Sequence, residues 1–401
     1  MIFNTYWFLG FGAVFFPVYW LLWRPAWRKP WLLAGCLVFH WHFAGPAGVL
    51  PIVVIGGCTY FAALTRRRAA TTAGVALCVA ALVFYKYAAF VCEDVVAALA
   101  PDLGATLARQ AAAIHPGAAP LAISFFAFEF IHYLVEVGKG GEPIRRPDDF
   151  ALFALHFPSL VAGPIKRYQE YAPALLAGLA RVTVDDVAAG AQRIALGVVK
   201  KVLLADNLTL MLNFYGDRFA SLSVGEAWLF LAGLAARILL DFSGYTDMAL
   251  GFSRLMGIRL PENFHWPYLA TSLRDFWSRW HMSLTSWIRD YVYIPLGGNR
   301  HGRLRQLANG LIVFALCGLW HGPAWHFVLW GVWHGVGLAV NHSYAPILGA
   351  PGRWLQRAFT RLPVLGWALT LLFVAFGWLL FFYEPAQAGA MAGKLLGFPQ
   401  P

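Results

Sequence analysis

Long apolar runs, interrupted by short charged or broken stretches, set the pattern of this chain. They extend from Trp7 to Trp23, Trp31 to Ala44, Val49 to Thr65, Ala73 to Val91, Pro120 to Val137, Val187 to Phe214, Gly225 to Leu240, Leu307 to Trp320, Trp325 to Val340 and Pro363 to Tyr383. A helix needs roughly 20 apolar residues to cross about 30 Å of hydrocarbon. The pattern predicts an all-α polytopic membrane protein with about ten membrane-embedded helices. The alternating ten-residue segments of a membrane β-barrel are missing from the sequence. No polar block is long enough to fold separately, so one membrane domain over residues 1–401 is expected. Its motif-bearing core is 241–335.

The breaks between runs orient the chain. Met1 to Tyr6 has no positive charge, and Arg24, Arg28 and Lys29 follow the first run. A secretory signal has the opposite order, so this reads as a retained helix with its N-terminus outside. Arg66-Arg67-Arg68 and Lys139 to Asp149 read as cytoplasmic, and Glu93 to Ala118 as an outside loop. Phe150 to Ile165 is short for a span and holds Pro158 and Gly163-Pro164. Broken backbone survives at membrane depth only where protein or a cavity covers it, so the segment is expected to be re-entrant. Pro261 to Arg305 is the longest polar stretch. Its interleaved tryptophans and arginines suit short helices at the membrane face.

Composition agrees. The chain is 59% hydrophobic and 13% charged, against about 25% charged in a soluble domain. The formal net charge of +11 resides in Lys and Arg beside apolar blocks. That is the positive-inside bias rather than a nucleic-acid footprint. The five cysteines show no paired spacing and read as small buried hydrophobes.

Candidate chemistry centres on two Trp-His pairs, Trp280-His281 and Trp320-His321. His321 lies inside the apolar stretch Leu311 to Val340, where an ionisable residue suggests function. A neutral imidazole there can take a proton from a hydroxyl, its ordinary pKa of about 6.5 lying near working pH. The other reading is a histidine hydrogen-bonded inside a helix bundle. His281 sits among Arg274, Asp275, Arg279, Arg289 and Asp290, so a salt-bridged interfacial position is its alternative. Asp241, Asp247 and Glu262 flank Phe242-Ser243-Gly244-Tyr245-Thr246. They fit either carboxylates that orient a histidine or partners of nearby arginines. Arg300, Arg303 and Arg305 follow Gly297-Gly298-Asn299 and suit either an anionic donor or membrane anchoring. No metal site is expected: His321 and His326 lie about 140° apart round a helix, and His-Glu-x-x-His is missing. The phosphate-binding, dinucleotide and hydrolase-serine motifs are missing too.

Several segments together resemble the membrane-bound O-acyltransferase (MBOAT) family, in its bacterial exopolysaccharide-acetylating branch. They are Asp241-Phe-Ser-Gly-Tyr-Thr-Asp247, Pro261-Glu-Asn-Phe264, Phe276 to Ser283, Arg289-Asp290-Tyr291, Ile294-Pro-Leu-Gly-Gly-Asn-Arg300 and Leu319-Trp-His-Gly322. Met1-Ile-Phe-Asn4 and Phe157-Pro-Ser-Leu-Val-Ala-Gly-Pro164 fit as well. The resemblance implies helices and re-entrant segments around a central funnel or tunnel. It implies acyl transfer from cytoplasmic acetyl-CoA toward a hydroxyl outside, with no permanently bound cofactor. His321 matches the essential interior histidine and His281 the second histidine near the cytoplasmic mouth. Arg279, Arg289, Arg300 and Arg303 are the expected donor-binding residues, supported by Trp320, Trp280, Asp247, Asp241, Ser243 and Asn263. A periplasmic SGNH-type O-acetyltransferase or acyl-relay protein, an exopolysaccharide synthesis complex and membrane lipids are the expected partners. The expected location is the bacterial inner membrane. Two departures stand out. Ser159 replaces a more usual histidine or glutamine, and the chain stops soon after Tyr383 where longer relatives carry further helices. A polysaccharide or lipid-linked-sugar transporter, D-alanyl transfer to a cell-wall polymer, and a non-catalytic scaffold are the alternatives.

Overall fold

The structure, a computed structural model, describes residues 2–114 and 119–398. Met1 of the opening motif and residues 115–118 of the expected outside loop lie outside the described residues. The described residues form helices and turns, with no strand among them. Among the described residues, four helices are long and apolar enough to cross a membrane: Pro25–Leu64, Arg68–Tyr87, Val224–Arg254 and Pro363–Phe382. Leu37, Val38, Trp41, Val53, Phe61 and Leu369 are exposed on them. Such side chains are stable facing outward only where the solvent is hydrocarbon. The protein is therefore a multi-pass membrane protein.

The chain divides into two compact units. The first comprises residues 1–197 and 245–261, the second residues 198–244 and 262–401. In the first, the two runs expected on either side of Gly45-Pro46 form one helix, Pro25–Leu64, broken at Gly45 with φ 63° and ψ 174°. Glycine alone adopts that conformation cheaply. Residues expected as an outside loop are instead helical through Phe90–Val96 and Pro101–Ile114. Pro101 at the first helical position and an alanine-rich sequence favour that outcome.

The segment read as re-entrant is broken, as expected. Helix Pro147–Leu155 gives way to a single turn, Phe157–Ser159, and then to irregular backbone. It is well covered. Phe157 is fully buried and packs against Phe8, Phe11, Phe15 and Phe39. The ring of His156 lies 3.0 Å from the Ser253 hydroxyl. Ser159 is fully buried, and its hydroxyl donates weakly to the His156 carbonyl at 3.4 Å. At the end of the segment Lys166 pairs with Glu129 at 2.5 Å, the two being 1% and 3% exposed. Removing either partner would leave a buried charge, so the pair fixes where the broken segment ends.

In the second unit, helix Arg303–His321 packs against helix Trp325–Leu348 with almost no gap. A Cβ placed on Gly318 would stand 2.0 Å from the Phe327 carbonyl oxygen, and one on Gly331 would stand 2.0 Å from that of Phe314. Two glycines therefore let one backbone rest on the other, as small residues do between membrane helices. Gly322 is extended, and a side chain there would meet the Phe327 ring. The first helix ends at His321, and the second begins four residues later.

Gly310 lies on the same helix as Gly318, with open space around it. Replacing Gly310 by Ala is expected to stabilise slightly, by up to about 1 kcal/mol. Gly318→Ala should destabilise by about 1–3 kcal/mol through overpacking. Thermal unfolding of both variants in detergent checks this; equal melting temperatures would show that the helix contact is looser than described.

Candidate active site

The second unit contains both histidines of the Trp-His pairs. His321 is the last residue of helix Arg303–His321 and is half-buried. Its ring lies 5.2 Å from Trp330 and 5.1 Å from Phe381, both edge-on, and 4.7 Å from Trp320. Phe327 is stacked 6.4 Å away. These four rings flank the imidazole with aromatic surface.

His281 is 1% exposed, so it does not sit on the salt-bridged surface that its charged neighbours in sequence suggest. Its ring rests 4.7 Å from Phe242 and 5.9 Å from Trp320. The indole of Trp320 thus lies against both imidazoles. Neither nitrogen of His281 has a hydrogen bond to another described residue. His281 lies between two short helices, outside the long apolar ones. Burial lowers its pKa to about 3, so the ring is neutral at working pH.

Local sequence explains how His281 is held. Helix Leu273–Arg279 starts at Ser272, whose hydroxyl accepts from the Asp275 N–H at 3.1 Å. Trp280 then leaves the helix, and His281 takes the left-handed conformation with φ 44° and ψ 53°. That conformation costs a non-glycine residue about 1–2 kcal/mol. The next helix, Met282–Ile288, cannot be capped by His281 itself. Asn263 does it from eighteen residues upstream in the sequence. Its carbonyl accepts from the Met282 N–H at 3.0 Å. Its Oδ1 accepts from the Ser283 N–H at 3.2 Å and from the Ser283 hydroxyl at 2.6 Å. Trp280 is buried in a stack with Phe264, Tyr268, Phe276 and Trp378, which anchors the chain just before His281.

The carboxylates have basic partners. Asp241 pairs with Lys201 at 2.6 Å within the second unit. Asp247, in the first unit, pairs with Arg193 at 2.6 Å. Ser243 is buried on the helix that carries both. Two of the four expected donor-binding arginines already hold a carboxylate: Arg279 meets Asp275 at 2.7 Å and Arg289 meets Asp290 at 2.8 Å. Arg300 and Arg303 have no carboxylate partner among the described residues. Arg303 reaches only the Ser343 carbonyl, at 3.5 Å.

Sequence reasoning missed His334. It is fully buried, lies 5.0 Å from Trp330 and 5.1 Å from Trp277, and neither ring nitrogen has a partner among the described residues. Trp330 therefore lies against both His321 and His334. The available signal was a further Trp-His dipeptide, Trp333-His334, on the run already assigned as a membrane arm.

Residues 147–385 match the membrane-bound O-acyltransferase family, and the chain belongs to that family. It is similar to the probable alginate O-acetylase AlgI of Azotobacter vinelandii, 34% identical over 391 residues, which are 94% of this chain and 74% of that protein. It is 36% identical over 326 residues to the probable alginate O-acetylase AlgI of Pseudomonas syringae pv. tomato, covering 81% of this chain and 59% of that one. To the peptidoglycan O-acetyltransferase of Helicobacter pylori it is 34% identical over 289 residues, 65% of this chain and 54% of the relative. For several of these curated relatives the match spans only about half to three fifths of their length.

Two outcomes follow from the geometry of His281. Asn263→Ala removes the side-chain cap of helix Met282–Ile288 and should cost about 0.5–2 kcal/mol in thermal unfolding, whereas Asn263→Asp, which keeps the acceptor, should cost less. The lowered pKa of His281 means that the folded state binds its proton less readily than the unfolded state. Its contribution is therefore complete above about pH 6.5 and declines as pH falls toward 3. Between pH 7 and 5 the native protein should lose about 2 kcal/mol more than His281→Phe. Parallel melting curves for the two proteins would rule this out.

Proposed function

We propose that this protein is an O-acyltransferase of the bacterial inner membrane. It takes an acetyl group from cytoplasmic acetyl-CoA and delivers it toward a hydroxyl of an exopolysaccharide through a periplasmic O-acetyltransferase or acyl-relay partner. The N-terminus faces the periplasm. The observation that carries this reading is the pair of imidazoles, His281 and His321, resting against the single indole of Trp320. The names of the relatives, which include alginate and peptidoglycan O-acetylating proteins, support the acyl group and the polymer class.

His321 acts as the base. Its neutral ring takes the proton from the acceptor hydroxyl as oxygen attacks the thioester carbonyl, and returns it to the departing thiolate. Bond making and breaking then balance: one O–C bond forms, one S–C bond breaks, and the proton passes from oxygen to sulfur. His321 ends a helix, and the partial negative charge of a helix C-terminus favours the imidazolium formed in the transition state. His281, neutral and without a hydrogen-bond partner among the described residues, supplies a hydrogen-bonding group near the same indole. Arg300 and Arg303, free of carboxylates, are the better candidates for the donor's phosphates, while Arg279 and Arg289 would have to share theirs.

Replacing His321 by Ala should cut acetyl transfer by about 10²–10⁴-fold while the protein still inserts and folds. The measurement is acetyl ester on the polymer together with free CoA released by purified membranes. Normal CoA release and normal esterification in that variant would remove His321 from the chemistry. CoA release independent of polymer would instead point to a missing partner.

A further inference from the structure

Between helix Trp325–Leu348 and the span Pro363–Phe382 the chain forms a separate helix, Ala350–Arg361. Gly349, with φ 64°, turns the backbone into it, and Pro363 starts the helix that follows. The helix is two-faced. Arg353, Arg357 and Arg361 recur every fourth residue, so they occupy an arc of roughly 80° and extend about 12 Å along the axis. Gln356 and Thr360 border them. Leu355 and Phe359 point the other way, and Phe359 packs on Tyr344 of the preceding helix, their ring centroids 6.3 Å apart. A Cβ on Gly352 would stand 2.6 Å from the Ala345 carbonyl oxygen, so the start of the helix is pinned against its neighbour. The polar face is consequently fixed outward.

Arg353, Gln356, Arg357, Thr360 and Arg361 lie together on that face, all exposed. None of the three guanidinium groups has a hydrogen bond or ion pair to another described residue. Like charges four residues apart on a helix repel each other, so three unneutralised arginines on one face favour a bound anion. Guanidinium forks match phosphate oxygens in pairs. Trp354 is 67% exposed beside them, an interfacial indole. Leu362, just before the adjoining span, and Val364, Leu365 and Leu369 on it are also exposed. A phosphate bound at the arginines would therefore have an uncovered apolar surface next to it.

We propose that the arginine face of Arg353, Arg357 and Arg361 binds the phosphate headgroup of an anionic phospholipid, whose acyl chains lie along the exposed residues at the start of helix Pro363–Phe382. Charge alone would accept a soluble phosphate, but the contiguous apolar surface selects a lipid. The site is independent of the acyl-transfer reading, and it fixes this turn of the chain at a membrane surface that carries negative lipid.

The full-length protein reconstituted in nanodiscs of phosphatidylcholine with a minority of phosphatidylglycerol tests this. Lipid retained by the protein is counted by native mass spectrometry. The native protein should enrich phosphatidylglycerol over its bulk fraction. Arg357→Gln should lower the enrichment about fivefold at low salt, and the triple variant R353Q/R357Q/R361Q should remove it. Because these side chains are exposed, melting temperatures should stay unchanged, which separates lost binding from lost folding. Equal enrichment in native and triple-variant protein overturns the proposal. Displacement of the lipid by millimolar inorganic phosphate at constant ionic strength also overturns it, since the arginine face would then be a soluble-phosphate site.

Discussion

The carbonyl oxygen of Phe327 occupies the space that a side chain at position 318 would need, and the carbonyl of Phe314 does the same at position 331. This double backbone contact joins the two helices on either side of His321. In hydrocarbon, helices gain nothing from merely hiding apolar side chains from one another, so close backbone approach is what favours their pairing. The end of one helix and the start of the next are thereby fixed within a few residues. The imidazole at that end has one surrounding, a cage of Trp320, Phe327, Trp330 and Phe381, rather than several.

The second imidazole is held by a different device. His281 has a backbone conformation that opposes it, and nothing on its own short helix compensates. The compensation comes from Asn263, which satisfies two backbone N–H groups and a hydroxyl at the start of Met282–Ile288. The stack around Trp280 anchors the other side. Strain of this kind persists where the surroundings over-determine it, and such places concentrate at functional sites.

Charge is distributed with equal economy. Asp241, Asp247, Asp275 and Asp290 each meet a basic partner. Among the described residues the imidazole of His281 has no counter-ion, as a group that must stay neutral requires. Arginines without carboxylates are found instead in the turn and helix start at Arg300 and Arg303, and along the helix Ala350–Arg361. Both sets lie where anionic material from outside the chain can reach them.

Hydropathy alone determined that this is an all-helical membrane protein, because the period and length of apolar runs follow from the thickness of hydrocarbon. The Gly45-Pro46 break, the broken segment near Pro158 and the end of a helix at His321-Gly322-Pro323 were legible for a similar reason: glycine and proline act on the backbone locally. The helices through Phe90–Val96 and Pro101–Ile114 were not, since polarity argued for a loop while alanine propensity and a proline start won. Only the tertiary structure decided that His281 is buried, although its sequence neighbours are charged. It likewise decided that Trp320 touches both histidines, that Asn263 caps a helix far along the chain, and that His334 lies behind Trp330. These depend on which side chains meet across elements distant in sequence, and no spacing along one helix encodes that.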